Sequence, residues 1–136
     1  MSEKRRGGCL CGAVRYELDW PAKSIVVCHC SDCQKQAGTA FSVVGVARRD
    51  GLVVSGELAT FTHPGSSGQD VNRKFCPQCG SPILTDTEAA RKQGIVFFKA
   101  GTLDETADLA PTVHFWTQSA QRWFDIPAGV TCLVQQ

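Results

Sequence analysis

Three cysteines within six residues constrain this chain more than any other feature of its sequence. They lie in the segment Cys28–Cys33, directly after Ser24–Val27, whose β-branched residues predict a strand. Side chains two positions apart on a strand share one face of it. Cys28 and Cys30 should therefore point the same way, while His29 points the opposite way.

The residues that follow predict a change of direction. Ser31 and Asp32 are typical helix N-cap residues, Gln34–Ala37 favours a short helical turn, and Gly38 is suited to end it. Such a turn would return Cys33 to the side of the other two sulfurs. Three convergent thiolates are the ligand set that a zinc ion with an open coordination position needs.

Composition limits the class of protein. The chain has 136 residues, a formal net charge of +1 and 43% hydrophobic residues, which indicates one globular domain over 1–136. The small net charge argues against a nucleic-acid-binding protein that relies on bulk positive charge. Apolar runs stay far below membrane-spanning length, and the charged segment 1–8 does not resemble a secretory signal. We expect a cytoplasmic protein with no nucleic-acid or membrane partner, in a compartment that keeps thiols reduced.

Eight cysteines in a reducing compartment indicate metal binding rather than disulfides. Seven of them form two pairs and one triple: Cys9 and Cys11, Cys76 and Cys79, and Cys28, Cys30 and Cys33. Cysteines separated by one residue on the same face are poor disulfide partners for each other, and clustering suits a metal, so a disulfide framework is the less favoured alternative. The eighth cysteine, Cys132, stands alone in an apolar segment.

The number of ligands suggests one closed and one open site. A closed structural zinc takes four ligands, which the two pairs supply together, and the triple then keeps room for water or substrate. Other partitions stay open, because Cys132 or His29 could complete the triple and close it. Strand alternation disfavours His29, and a lone cysteine in an apolar strand is usually a small buried core residue.

Short β-type segments separated by glycine and proline turns make up most of the chain. We predict strands over 13–18, 24–27, 41–46, 52–55, 58–62, 71–75, 83–85, 95–100, 112–116 and 130–134, with a brief helical piece over 88–93. This pattern predicts a mainly β fold, a single domain of short antiparallel strands built around the zinc sites.

Several motifs together resemble the glutathione-dependent formaldehyde-activating enzyme family, also called the centromere protein V type domain. The resemblance covers about Gly7 to Pro127. It rests on Gly8–Gly12, on Cys28–Lys35 with Gly38 and Phe41, on Arg73–Ser81, and on Ala100–Asp104, His114–Trp116, Trp123 and Phe124.

Membership in this family implies a β-rich, Mss4-like fold and two zinc ions per chain. It implies that Cys9, Cys11, Cys76 and Cys79 hold a structural zinc, and that Cys28, Cys30 and Cys33 hold a catalytic zinc. We expect the catalytic zinc to be the more weakly bound, because it lacks one ligand. The implied activity is that of a carbon–sulfur lyase, acting on the adduct of formaldehyde with glutathione.

Other residues are candidates for the surroundings of the open site. His114 could line a substrate cleft, although a histidine in an aromatic strand is more often structural. Asp32 could support the metal, but a helix cap is the favoured interpretation. Two further groups are the aromatic residues Phe41, Trp116 and Trp123, which core packing explains more simply, and the cations Lys35, Arg48, Arg49 and Arg73, which surface solvation explains more simply.

Two classes of function follow from these predictions. The first is a zinc enzyme that acts on adducts of a small aldehyde with a low-molecular-weight thiol. The second is a zinc-stabilised binding module without catalysis. The triple favours the enzyme, because a purely structural module gains nothing from an open zinc position.

Overall fold

Strands dominate the structure, a computed structural model that describes residues 3–135. Met1 and Ser2, which begin the segment compared above with a secretory signal, and Gln136 lie outside the described residues. Neither of the two short α-helices, nor any other helix in residues 3–135, is long and apolar enough to cross a membrane. The elements are β1 (Glu3–Gly8), β2 (Arg15–Trp20), β3 (Ser24–Cys28), α1 (Ser31–Ala37), β4 (Ser42–Arg48), β5 (Val53–Ser55), β6 (Ala59–Pro64), β7 (Asp70–Phe75), β8 (Pro82–Asp86), α2 (Glu88–Lys92), β9 (Ile95–Lys99), β10 (Val113–Phe115) and β11 (Thr131–Leu133).

The strands form two sheets, which confirms the prediction of a mainly β fold. A three-stranded sheet has the order β1-β2-β5, and an eight-stranded sheet has the order β11-β10-β3-β4-β9-β8-β7-β6. Pairing is antiparallel throughout, except that β10 runs parallel to both β3 and β11. Parallel pairing requires a connection longer than a hairpin, and residues 116–130 supply one between β10 and β11.

The sequence pattern did not predict β1. Its first four residues are charged and show no apolar alternation, yet the whole strand pairs with β2. Cross-strand charges explain part of this pairing, since Lys4 lies 2.5 Å from the Asp19 carboxylate. The Arg5 guanidinium packs over Trp20, 4.1 Å from the ring centroid, and shields apolar surface with a charged side chain.

The two faces of the eight-stranded sheet have different roles. One face carries Val96 and Phe98 of β9 into the core, where they meet Tyr16 and Leu18 of the small sheet. Side chains alternate along a strand, so the neighbouring residue Lys99 points to the opposite face. Strand register places Lys99 in one row with Val44 and Val26 on that second face. The functional site described below lies on this face.

Gly45 is required where β4 crosses the largest core residue. It pairs with Phe98, and a Cβ atom at Gly45 would lie only 2.1 Å from the Phe98 ring. We predict that Gly45→Ala lowers the free energy of unfolding by about 1–3 kcal/mol, the usual cost of overpacking. Urea unfolding of the metal-loaded protein measures this change. Gly101→Ala is the matched control, because a Cβ there meets open space; equal midpoints for the two variants would contradict the prediction.

Candidate metal centres

Four cysteines from distant parts of the chain meet in one cluster. The Sγ atoms of Cys9, Cys11, Cys76 and Cys79 all lie within 4.8 Å of one another. Two of the separations are 3.6 Å, between Cys9 and Cys11, and 3.8 Å, between Cys11 and Cys76. A tetrahedral ion with metal–sulfur bonds of about 2.3 Å holds its ligands about 3.8 Å apart, so the cluster fits such an ion.

Backbone amides and a hydroxyl group surround these sulfurs. The amides of Gln78 and Cys79 donate to Cys76 Sγ at 3.4 and 3.5 Å, in a turn that Gly80 completes with a φ of +81°. Ser81 Oγ lies 3.2 Å from Cys79 Sγ, and its hydrogen bond lowers the pKa of Cys79 to about 5. Such donors stabilise a thiolate, which is the form that binds a metal.

The structure also brings the three central cysteines together. Cys28 ends β3, Cys33 lies in the first turn of α1, and all three Sγ atoms, including that of Cys30, are within 4.8 Å of one another. The predicted N-cap at Ser31 or Asp32 is wrong. Cys30 caps the helix instead, because its sulfur accepts a hydrogen bond from the Cys33 amide at 3.2 Å. The helix end itself therefore fixes two of the three sulfurs, and Gly38 ends the helix as predicted.

Mutual hydrogen bonding makes the three thiols unequal. Hydrogen bonds from Cys28, and then from Cys33, lower the pKa of Cys30 to about 2. The same contact with Cys30 raises the pKa of Cys28 above its usual range. Three thiolates this close repel one another, so their simultaneous ionisation requires a nearby cation.

Neither proposed fourth ligand joins the triple. In residues 3–135, the groups of His, Cys, Asp and Glu atoms arranged to hold a metal are the four-cysteine and three-cysteine clusters. His29 is fully buried on the opposite side of the strand, with Nε2 2.9 Å from Nδ1 of His114. His114 is itself buried, which supports the structural interpretation of this residue.

Cys132 was expected to be a buried core residue, and this expectation is wrong. The side chain is exposed, with its nearest hydrogen-bond acceptor, the Val130 carbonyl, at 4.0 Å. The reason is that β11 is the last strand of its sheet and pairs only with β10. An apolar sequence pattern predicts a strand, but it does not show whether that strand lies at an edge.

An apolar cavity of about 220 Å³ opens beside the triple, on the second face of the large sheet. Cys28 and Cys33 lie in its wall. The apolar part of the remaining wall consists of Val26, Val44, Phe97, Phe115 and Trp116. Its three polar residues are Thr85, Arg73 and Lys99.

A second cavity, of about 380 Å³, reaches the triple from the side of Cys30. Most of its lining residues are polar, and they come from the start of α1, the loop between β6 and β7, β7 itself and the segment after β10. Besides Cys30, the lining residues are Ser31, Asp32, Gly65, Ser66, Ser67, Val71, Arg73, Trp116 and Ser119. The triple thus lies between an apolar and a polar cavity, which share Arg73 and Trp116.

Two buried cations line these cavities. Lys99 is 6% exposed and donates a hydrogen bond to Ser42 Oγ at 2.8 Å; burial lowers its pKa. Arg73 is 7% exposed, and its Nε donates to Nε2 of His63 at 2.8 Å. Both positively charged side chains line cavities that open at the three-cysteine cluster.

Sequence reasoning missed Lys99 and underestimated Arg73. The interpretation as surface residues is correct for Lys35 and Arg48, which are exposed. Arg49 is half-buried and pairs with the buried Asp86, and neither residue belongs to a cysteine cluster or lines the cavities beside the triple. One sequence signal could have indicated that Lys99 is buried. It lies at the end of the most apolar predicted strand, where a lysine side chain has no obvious route to solvent.

The three candidate aromatic residues have three different environments. Phe41 packs against the His29 ring, with centroids 5.5 Å apart, and so supports the strand that carries the ligands. Trp123 is 69% exposed, so the core interpretation is wrong for it. Trp116 lines both cavities and has a φ of +58°, a strained conformation for a bulky residue that is often retained at functional sites.

The overall fold has a counterpart among solved structures. A crystal structure of a Rhodobacter sphaeroides protein, determined by the Northeast Structural Genomics consortium, superimposes with a TM-score of 0.59 at 20% sequence identity. The match covers 76% of this chain and 91% of the other chain. At this level of identity, the similarity concerns the fold alone.

The sequence itself matches a family model. The model of the glutathione-dependent formaldehyde-activating enzyme aligns with residues 4–119, which include both cysteine clusters, Arg73, Lys99 and Trp116. The match leaves out the last part of the chain, where the exposed Cys132 lies. The protein therefore belongs to the glutathione-dependent formaldehyde-activating enzyme family.

Proposed function

We propose that this protein is a zinc-dependent carbon–sulfur lyase that catalyses the reversible addition of a low-molecular-weight thiol to a small aldehyde. Glutathione is the first choice of thiol, as the family suggests. The four-cysteine cluster would hold a structural zinc and the three-cysteine cluster a catalytic one. The free thiols require a reducing compartment, for which the cytoplasm is the natural candidate.

One observation carries this proposal: the cluster with only three ligands is the one that lies between two cavities. Cys28 and Cys33 form part of the apolar cavity, and Cys30 forms part of the polar one. A site with three protein ligands leaves a coordination position for a substrate, and here that position would be reached from either side. The four-ligand cluster has the composition of a closed structural site.

A zinc ion bound by the triple would supply a Lewis acid that lowers the pKa of a substrate thiol. The residues of the chain prepare the site for this. The Cys33 amide, through its hydrogen bond to Cys30 Sγ, favours the thiolate form of that ligand. Lys99 and Arg73 place positive charge beside three negatively charged sulfurs and so offset part of their repulsion.

The polar cavity is the better place for the thiol. Glutathione is a peptide with two carboxylates, and this cavity offers serine hydroxyls and the Arg73 guanidinium. Because Arg73 Nε donates a hydrogen bond to His63 Nε2, the plane of the guanidinium is fixed. A fixed guanidinium suits carboxylate recognition, since it can donate two parallel hydrogen bonds.

The addition moves two electron pairs and one proton. The thiolate sulfur attacks the carbonyl carbon and forms the carbon–sulfur bond, while the π electron pair moves to the carbonyl oxygen. That oxygen takes up the proton that the thiol gave up, and the product is a hemithioacetal. Lys99, already oriented by Ser42, would donate a hydrogen bond to the negative oxygen as its charge develops.

A binding module without catalysis is the alternative. It shares the structural zinc and the fold, and it differs in having no use for the cavities beside the triple. The rate of exchange between aldehyde and thiol separates the two functions, because only the enzyme accelerates it.

The first prediction concerns the four-cysteine cluster. Cys79→Ser should lose one zinc per chain and yield insoluble or molten protein. The physical reason is that this zinc would tie the end of β1 to the end of β7, and metal binding of this kind contributes on the order of 10 kcal/mol to folding. Zinc content by atomic absorption and near-ultraviolet circular dichroism measure the effect.

Cys132→Ala is the matched control for that experiment, because Cys132 is exposed and outside both clusters. It should keep two zinc ions and melt within about 1 °C of the wild type, as surface substitutions usually change stability little. A Cys79→Ser protein with two zinc ions and a normal melting curve would show that the structural site is assigned wrongly.

The second prediction concerns the reaction. Zinc-loaded wild-type protein should raise the exchange rate between formaldehyde and S-hydroxymethylglutathione, measured by two-dimensional exchange NMR against the spontaneous rate. Cys30→Ala should return the rate to the spontaneous value, since the variant keeps only two thiolates for the catalytic zinc. The four-cysteine cluster remains in this variant, so its fold should survive.

Two outcomes would decide against the lyase. If the wild type with two zinc ions left the exchange rate at its spontaneous value, this substrate pair would be excluded and the binding module favoured. If Cys30→Ala retained full acceleration, the triple would not be the catalytic site. Zinc content and circular dichroism of each sample exclude unfolding as the cause.

The third prediction concerns Lys99. Replacing it by methionine should lower the rate of enzymatic exchange roughly 10- to 100-fold, the equivalent of one hydrogen bond to a charged group. Zinc content should be unchanged, because lysine is not a ligand. Lys23→Met, which removes an exposed charge, is the matched control. Equal rates for the two variants would exclude Lys99 from the reaction.

A further inference from the structure

We infer that the aldehyde substrate carries an apolar group of about four to seven carbon atoms, and that this group occupies the cavity of about 220 Å³ between the triple and Lys99. This inference rests on the proposed function, and it names the substrate class that the site selects. Formaldehyde would be a minimal substrate that fills only a small part of the cavity.

The position of the cavity follows from strand register. Val26, Val44 and Lys99 form one row across β3, β4 and β9, on the sheet face that points away from the core. Phe115 pairs with Cys28, so the aromatic ring and the ligand occupy the same face. The apolar wall therefore begins directly at the triple and continues along the sheet.

The chemistry of the wall selects an apolar ligand. Val26, Val44, Phe97, Phe115 and Trp116 present apolar surface to the cavity, and Val26 is 7% exposed. The Lys99 amine donates a hydrogen bond to Ser42 Oγ, which holds the amine near one end of the row that Val26, Val44 and Lys99 form. A ligand gains from such a wall only by burying apolar surface of its own.

The size of the cavity sets the size of the group. An enclosed apolar cavity of about 150 Å³ is sufficient for benzene, so about 220 Å³ accommodates a ring or a short alkyl chain. Formaldehyde has one carbon and no substituent, so it would leave most of this wall without a partner. The cavity is thus far larger than formaldehyde requires.

The thiol is the less suitable occupant of this cavity. Glutathione carries charged groups on both ends, and their desolvation against valine and phenylalanine side chains would be unfavourable. The polar cavity on the side of Cys30 is larger, at about 380 Å³, and adds serine hydroxyl groups to Arg73, which both cavities share. The two substrates would then approach the triple from opposite sides, with Trp116 between them.

The reaction is the same addition, with one of the two hydrogens of formaldehyde replaced by an apolar group. Sulfur and carbon form one bond, the π pair moves to oxygen, and oxygen takes the proton released by the thiol. The product is the hemithioacetal of a larger aldehyde. No oxidant or reductant takes part.

A series of aldehydes tests the inference. Exchange NMR with glutathione and zinc-loaded protein should compare formaldehyde, propanal, butanal, hexanal and benzaldehyde, each relative to its own spontaneous rate. We expect the acceleration at equal aldehyde concentration to rise roughly fourfold for each buried methylene up to hexanal. Benzaldehyde should also exceed formaldehyde. A series that is flat, or that falls with size while formaldehyde is accelerated, would overturn the inference and leave the lyase intact.

A cavity-filling variant supplies the matched comparison. Val44→Phe should reduce the ratio of hexanal to formaldehyde acceleration at least tenfold, because the new ring takes the space of the alkyl chain. Val53→Phe adds the same ring at a residue that is 69% exposed on the small sheet and should leave the ratio unchanged. Equal ratios for the two variants would contradict the placement of the group.

Binding is measured without catalysis. Hexan-1-ol should cause saturable shifts of the methyl signals of Val26 and Val44, whereas methanol at equal concentration should not. Absence of these shifts would overturn the inference even if formaldehyde exchange is accelerated. If no aldehyde in the series is accelerated by fully loaded protein, the proposed function itself fails, and this inference fails with it.

Discussion

Crowding of sulfur atoms is the constraint on which the rest of the structure depends. Seven thiols meet in two clusters, and in each cluster the sulfurs lie within 4.8 Å of one another. Thiolates at this separation repel, so each cluster needs positive charge to be stable in its metal-binding form. In the larger cluster a metal ion would link Cys9, which follows β1 of the small sheet, to Cys76, which follows β7 of the large sheet. These metal–sulfur bonds would thus hold the two sheets together at one edge of the core between them.

The division of the large sheet into two faces connects this constraint to function. Phe98 faces the core and Lys99 faces the site, although they are neighbours in sequence. Gly45 leaves the space that the Phe98 ring fills on the core face, and the cavity beside the triple lies on the opposite face. Packing on one side of β4 and β9 therefore positions the amine that lies beside the triple on the other side.

The local parts of the site were predictable from the sequence, and the non-local parts were not. Spacing grouped seven cysteines into two pairs and a triple, because strand alternation and a short turn act within a few residues. The meeting of the two pairs in one cluster was expected only from ligand counting and from the family resemblance, since Cys11 and Cys76 lie 65 residues apart. Arg73 and Lys99 reach the triple only through pairing across several strands, which spacing does not encode. The predicted cap of α1 at Ser31 or Asp32 is wrong because the Cys30 sulfur accepts the hydrogen bond of the Cys33 amide, which places the cap one residue before Ser31. The exposure of Cys132 depends on its place at a sheet edge, which is also a property of the whole fold.

Trp116 separates the two cavities, and its strained backbone is held in place by contacts with the helix that carries Cys33. Its left-handed conformation costs on the order of 1–3 kcal/mol and persists only where neighbouring contacts hold it. The Ser119 amide donates to the Trp116 carbonyl at 3.0 Å, and Gln34 of α1 donates to the Ser119 carbonyl at 3.1 Å. Gln34 also donates to the His29 carbonyl at 2.8 Å, between two of the cysteine ligands. The wall between the cavities is therefore braced by the same helix that carries Cys33, so a displacement of the wall would also displace the triple.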